Sequence, residues 1–246
     1  MKGSLAKKSK APKPAAAPKT VRSASKNGSA AKVAGTDPKR VRAILQKLDE
    51  AYPTATCALV HHNPFQLLIA TILSAQTTDV RVNQVTPSLF KKYPKPEDLA
   101  YANPRDVEAE IRTTGFFRSK TKSIQGASKK IAEEFSGEVP RTMEQLLTLP
   151  GVARKTANVV LGTAFGIALG VVVDTHVMRL SERLDLTRNT EPKKIEQDLM
   201  RVIPQDKWIA FSHQLIWHGR RVCQARKPRC MECNLERICY SKDKII

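Results

Sequence analysis

From Asp37 onward, apolar residues recur every three or four positions, the period of an α-helix. Val41, Ile44, Leu45 and Leu48 share one face behind Asp37-Pro38, an N-cap followed by proline at the first helical position. Asn63-Pro64 repeats the signal before FQLLIATIL, which is apolar nearly all round and predicts a central buried helix. Asn103-Pro104 opens a third helix, Thr142 with Gln145 forms a capping-box pattern, and Thr190 precedes the amphipathic stretch EPKKIEQDLMRVI. Alternating strand pairs joined by Asn-Gly or Asp-Gly turns are missing. The run Gly170-Val171-Val172-Val173 suits an extended segment, but one β-branched run does not make a sheet. The pattern predicts an all-α chain of about ten helices.

Composition narrows the function classes. At 246 residues the chain makes one large domain or two small ones, and no apolar run approaches the ~20 residues of a membrane span. The first 30 residues lack the apolar stretch of a secretory signal, so neither export nor a membrane partner is expected. Lys and Arg number 42 against 23 Asp and Glu, a net charge of +19, which makes a polyanion the default partner, with nucleic acid ahead of a membrane surface. The plainer reading is charge for solubility. Residues 1–36 hold nine of the basic residues and no acidic one, with no aromatic side chain, and predict a disordered basic tail. An arm that binds phosphates nonspecifically, a solubilising leader and a targeting peptide share that composition.

Four of the five cysteines crowd into the end of the chain as C-x6-C-x2-C-x5-C: Cys223, Cys230, Cys233 and Cys239. Without a secretion signal this spacing suggests metal ligation over disulfides, and it leaves zinc and an iron–sulfur cluster both open. Arg220, Arg221, Arg226, Lys227 and Arg229 surround the thiols, where they can offset thiolate charge and face phosphates. Cys57, alone ahead of a helix, reads as a buried small hydrophobe.

The segment LPGVARKTA, 149–157, lies between the helical patterns TMEQLLTL and KTANVVLGTAF. Pro150-Gly151 makes a tight turn, and the N–H groups of the next helix, from Ala153 and Arg154 onward, suit a phosphate oxygen without reading any base. A simple helix–helix turn has the same outline. Lys155 falls in the first turn of that helix, where the dipole disfavours a cation. The same field with partial burial lowers a lysine pKa and frees a nucleophile, whereas a surface lysine there binds phosphate. Asp174 ends VVVD and precedes HVMRLSERL. It reads as an N-cap, as a proton acceptor for a lysine or a stabiliser of a cationic sugar, or as both.

Together these stretches strongly resemble the endonuclease III family, bifunctional DNA glycosylases of the helix-hairpin-helix superfamily. The resemblance runs from about Asp37 to Tyr240. It rests on LLIATILSAQTTD (67–79), TTGFFRSK (113–120), LPGVARKTANVVL (149–161), VDTHVMRL (173–180) and the four-cysteine ending. Two departures stand out: Ala153 replaces a glycine of the family hairpin, and AFGIALGVVVD is one residue longer than the usual pattern.

What the resemblance implies is specific. Lys155 would attack C1′ of a damaged pyrimidine nucleotide in duplex DNA and expel the base, and the Schiff base would permit β-elimination on the 3′ side. Asp174 would assist lysine deprotonation and stabilise the cationic sugar. Gln76 and the wedge Phe116, with Phe117 as a near competitor, would fill the gap left by the flipped nucleotide. Gly151, Ala153, Arg154, Arg226, Lys227 and Arg229 would contact DNA. Asp79 and His176 would support the site from behind. The four cysteines would hold a [4Fe–4S] cluster that shapes the loop between Cys223 and Cys230. A six-helix domain would span 57–166, with its hairpin at about 145–165, and an iron–sulfur domain would combine 37–56 with 167–246. The expected partner is damaged double-stranded DNA, met by a monomer in a bacterial cytoplasm, on the nucleoid, or in a eukaryotic nucleus or organelle. The rival readings are a monofunctional adenine or mismatch-thymine relative, which generally lacks the hairpin lysine, and a noncatalytic DNA-binding module.

Overall fold

The computed structural model describes residues 34–246, so most of the basic N-terminal tail lies outside the described residues. Asp37 caps α1 (Pro38–Ala51) by accepting from the N–H groups of Lys39 and Arg40, and Asn63 caps α2 (Pro64–Leu73) through Gln66. Thr78 caps α3 (Asp79–Lys92), and after the short α4 (Pro96–Ala100) Asn103 caps α5 (Pro104–Ile111). Then come α6 (Phe117–Glu134), the single turn α7 (Met143–Leu146) capped by Thr142, and α8 (Arg154–Phe165), which stops at Gly166 in the left-handed region. Asp174 caps α9 (Thr175–Arg183), and α10 (Pro192–Val202) and α11 (Trp208–Arg221) follow. The described residues are all-α, with eleven α-helices and no strand. One cap differs from the sequence reading: Glu191, not Thr190, stands at the N-cap of α10, and no side chain caps that helix, so the proline at its start carries the signal.

Two clusters of buried apolar residues organise the chain. The first takes Leu67, Leu68, Ile69 and Leu73 of α2, Leu89, Ile111, Ile124 and Ile131, and Val160 and Leu161 of α8. The second takes Ile44 and Leu48 of α1, Val171 and Val173, Leu180 of α9, Leu199 of α10, and Phe211 and Leu215 of α11. Each fully buried aliphatic side chain contributes roughly 1.5–3 kcal/mol. As its composition predicts, α2 is buried on almost every side. The Val171–Val173 run has no regular secondary structure; Val171 and Val173 pack into the second core, and the Val172 N–H donates to the Ser212 hydroxyl of α11 at 3.0 Å.

Candidate active site

The hairpin joins α7 to α8 through Leu149, Pro150 and Gly151. The Val152 N–H closes the turn on the Leu149 carbonyl at 3.1 Å. Gly151 has φ +77°, and a Cβ there would lie 2.7 Å from Cβ of Ser123, so both conformation and space require glycine. Ala153 is the N-cap of α8 at φ −101°, ψ 172°, extended backbone open to any residue. The departure from a family glycine therefore leaves the hairpin backbone unstrained. No side chain caps α8, so its first-turn N–H groups remain for an outside acceptor. The Arg154 guanidinium is already engaged: it grips the Glu196 carboxylate, Nε at 2.9 Å and Nη2 at 3.0 Å.

Lys155 and Asp174 line one open cleft, together with Asp79, Arg220, Cys57 and Trp217. Its walls come from both cores, since α2 and α8 belong to the first and α9 and α11 to the second. Lys155 is exposed and forms no hydrogen bond or ion pair among the described residues. The partial burial expected of it is therefore not built into the free protein, and desolvation has to come from whatever fills the cleft. Asp174 is half-buried, and its Oδ1 accepts from the N–H groups of His176 and Val177, both at 2.8 Å. The capping reading holds, and because both bonds fall on Oδ1, Oδ2 remains for a ligand.

Asp79 faces the cleft with Oδ2 held by Arg220 Nη2 at 2.5 Å. His176 does not line the cleft; its ring packs on Gly219, and its Nδ1 lies 3.3 Å from Arg179 Nη2. Cys57 packs on the first core and lines the cleft, and burial pushes its thiol up, which leaves it protonated at neutral pH.

Four non-glycine residues adopt positive φ among the described residues, and two of them are Gln76 (φ 55°) and Phe116 (φ 47°). Such backbone costs of order 1–3 kcal/mol and persists only where the surroundings impose it. Phe116 is 67% exposed whereas Phe117 packs on the first core, so Phe116 is the side chain available as a wedge. Its turn is anchored by Lys120, a buried lysine whose Nζ donates to the Thr114 carbonyl at 2.8 Å.

The four terminal cysteines line a second, small cavity. Among the described residues no three His, Cys, Asp or Glu side chains converge on one metal-ion position, although all four cysteines line the same cavity. Arg183, which local sequence pattern does not single out, donates to Cys223 Sγ at 3.2 Å, to the Gln224 and Ala225 carbonyls, and to Asp243 at 2.6 Å. It thereby pins the loop that carries Arg226 and Lys227, both exposed. Arg229 pairs with Glu232 at 3.0 Å and donates to the Arg221 carbonyl. Burial pushes the Cys233 thiol up to about 11, so ligation of a metal there must expel a proton.

His218 lies 3.4 Å from Cys233 Sγ and 2.9 Å from the Tyr52 hydroxyl, and burial lowers its pKa to about 4. Unfolded histidine titrates near 6.5. As pH falls below about 6.5, the unfolded chain binds a proton that the folded protein refuses. Stability is therefore lost as pH falls from about 6.5 toward 4. His213, lowered in the same direction by burial, adds to the loss. Urea midpoints measured from pH 7 to 4.5 should fall steadily; a flat profile would overturn the assignment.

Sequence and structural comparisons place the chain among known proteins. Residues 69–205 match the family described as HhH-GPD superfamily base excision DNA repair protein. Endonuclease III of Synechocystis sp. is 61% identical over 202 residues, 82% of this chain and 92% of the relative. Endonuclease III of Escherichia coli is 41% identical over 202 residues, 82% and 95% of the two chains. A solved trapped endonuclease III–DNA covalent intermediate superposes with a TM-score of 0.79 at 42% identity, covering 83% of this chain and 96% of that one. By the family match, by identities of 41% and 61% over most of its length and by the shared fold, the chain belongs to the endonuclease III family of the HhH-GPD superfamily, the DNA glycosylases and AP lyases of base excision repair.

Proposed function

We propose that the protein removes oxidised pyrimidines from duplex DNA and nicks the resulting abasic site, with Lys155 as nucleophile and Asp174 as its partner. The observation that carries this reading is the placement of both side chains in one cleft, lysine from the first core and aspartate from the second. With the nucleotide flipped into the cleft, the Lys155 amine bonds to C1′ as the base leaves with the glycosidic electron pair. Asp174 Oδ2 takes a proton from the ammonium beforehand and stabilises the positive charge that develops on the sugar. Loss of the sugar-ring C1′–O4′ bond leaves an iminium. A 2′ proton then departs, its C–H electrons form the C2′–C3′ double bond, and the 3′ phosphate leaves with the C3′–O pair. Water frees the lysine.

Gln76 and Phe116, held in left-handed backbone on the surface, would occupy the vacated stack. The hairpin N–H groups beyond Gly151 and Ala153, with Arg226, Lys227 and Arg229, would take phosphates. Asp79, in the cleft wall beside the reacting pair, would orient Arg220, and His176 would act from behind. The two cores would correspond to the six-helix and iron–sulfur domains, and a monomer suffices because one chain supplies both walls.

Cys223, Cys230, Cys233 and Cys239 would hold a [4Fe–4S] cluster. Four cysteines lining one cavity fit shared ligation of a single group, and membership of the endonuclease III family favours an iron–sulfur cluster over zinc. The cluster would supply structure rather than reaction chemistry, fixing the Cys223–Cys230 loop. Purified protein should contain iron and acid-labile sulfide and absorb visible light; a colourless, zinc-loaded protein overturns this assignment.

The function is tested by borohydride reduction during reaction with a duplex carrying thymine glycol. A covalent protein–DNA complex is expected, as a covalent intermediate has been trapped for a 42% identical relative. Base excision without any trapped complex would identify a monofunctional glycosylase instead. Binding without excision would identify a noncatalytic module.

A further inference from the structure

Glu196 is the only buried carboxylate among the described residues, 7% exposed. It sits on α10, whose neighbours Ile195 and Leu199 belong to the second core, yet its carboxylate is bound by the helix that carries Lys155 in the first. Arg154 Nε and Nη2 grip it at 2.9 and 3.0 Å, and Asn158 Nδ2 donates to Oε1 at 2.9 Å. The surroundings are arranged around this group. A Cβ on Gly170 would lie 2.0 Å from Glu196 Oε1 and 2.7 Å from Asn158 Nδ2, so the segment between the cores has glycine there. Asn158 presents its amide nitrogen to Glu196 at the expense of leaving Oδ1 buried without a hydrogen bond. An ion pair between a buried carboxylate and a half-exposed guanidinium, beside an orphaned amide oxygen, is a poor source of stability, since desolvation of the carboxylate and screening of the arginine offset much of the attraction. Position is what it supplies: three bonds from residues 154 and 158 set the rotation and depth of the first turn of α8.

We propose that Glu196 is a positioning residue for the reaction. By clamping Arg154 and Asn158 it ties the helix that carries Lys155 to the core that carries Asp174, and so sets the separation of the two reacting groups. The same clamp withholds the Arg154 guanidinium from DNA, although its place in the hairpin suggests a phosphate contact. The inference rests on the reading of Lys155 as nucleophile.

The test compares native protein with Glu196→Gln, Arg154→Gln and the double variant. It uses borohydride trapping rates under single turnover, Kd for a duplex with an uncleavable abasic analogue, the salt dependence of that Kd, and the thermal midpoint. Each single variant is expected to slow trapping about 10- to 100-fold, with Kd within about threefold of native and an unchanged salt slope. The double variant should be no slower than the worse single one, because both substitutions break one device. Should Glu196→Gln fail to fold, Arg154→Gln, whose side chain is 43% exposed, carries the test alone. The proposal is overturned by native trapping rates. It is equally overturned if Arg154→Gln weakens Kd and lowers the salt slope by about one, the mark of a phosphate contact. It also fails if the rate loss only follows the fraction unfolded at the assay temperature. Failure of the Lys155 reading looks different: Lys155→Gln would then trap like native protein, whatever the clamp variants do.

Discussion

Lys155→Gln should yield no borohydride-stable complex with a thymine-glycol duplex, lose at least about 10^3-fold in excision rate, and still bind that duplex. Glutamine keeps much of the length and polarity of lysine but has no amine to bond to C1′. The substitution removes a cation from the positive end of α8, so the fold should be as stable as native or gain up to ~1 kcal/mol. The hairpin depends on Gly151 and its packing on Ser123, not on the lysine, so the phosphate-facing N–H groups stay in place. A gel of the trapped complex, an abasic-analogue Kd and a thermal midpoint check the three parts. A complex that survives in the variant would move the nucleophile to another amine. Lys120 is a poor substitute, although burial lowers its pKa, because its Nζ is buried against the Thr114 carbonyl.

Asp174→Asn should slow base excision by about 10^2- to 10^4-fold with the fold intact. Asparagine is as good an N-cap as aspartate, and its amide oxygen can accept from His176 and Val177 as Oδ1 does now. The substitution therefore removes charge and basicity from the cleft while sparing α9. Asp174→Ala would confound the two by costing about 1 kcal/mol of capping as well. On a duplex with a preformed abasic site no base has to leave, so the charge-stabilising part of the role is bypassed and the defect should shrink. Single-turnover rates on both duplexes, with a thermal midpoint for each variant, make the comparison. An Asp174→Asn protein with native excision would reduce Asp174 to a helix cap.

Much of this protein is legible before folding because the relevant interactions are short-ranged. Asp37-Pro38, Asn63-Pro64 and Asn103-Pro104 each start a helix, since a cap acts on N–H groups two or three residues away. FQLLIATIL is buried because no face of that helix is polar enough for water. The position of Gly151 follows from the turn, and the four cysteines share a cavity after a spacing that already pointed to shared ligation. Where the local signal is ambiguous, the reading slips by a residue, as at Thr190 and Glu191.

The choice of partners across the molecule is another matter. Arg154 looks like a phosphate contact from its place in the hairpin, yet it is paired with a carboxylate 42 residues away. A signal existed, an acidic residue beside the apolar positions 195 and 199 of an amphipathic helix, but nothing local names its partner. Arg220 reads as one of several basic residues near the cysteines and is the ion-pair partner of Asp79, 141 positions earlier. Arg183 has no local signature at all, although it grips Cys223 and the following loop. Helix propensity, capping and ligand spacing act over one or two turns, so the sequence by itself determined the elements, the hairpin and the chemical character of Lys155, Asp174 and the cysteines. Which charged groups meet depends on how two hydrophobic cores pack against each other, and only that packing brought Lys155 and Asp174 to one cleft and turned Arg154 toward Glu196.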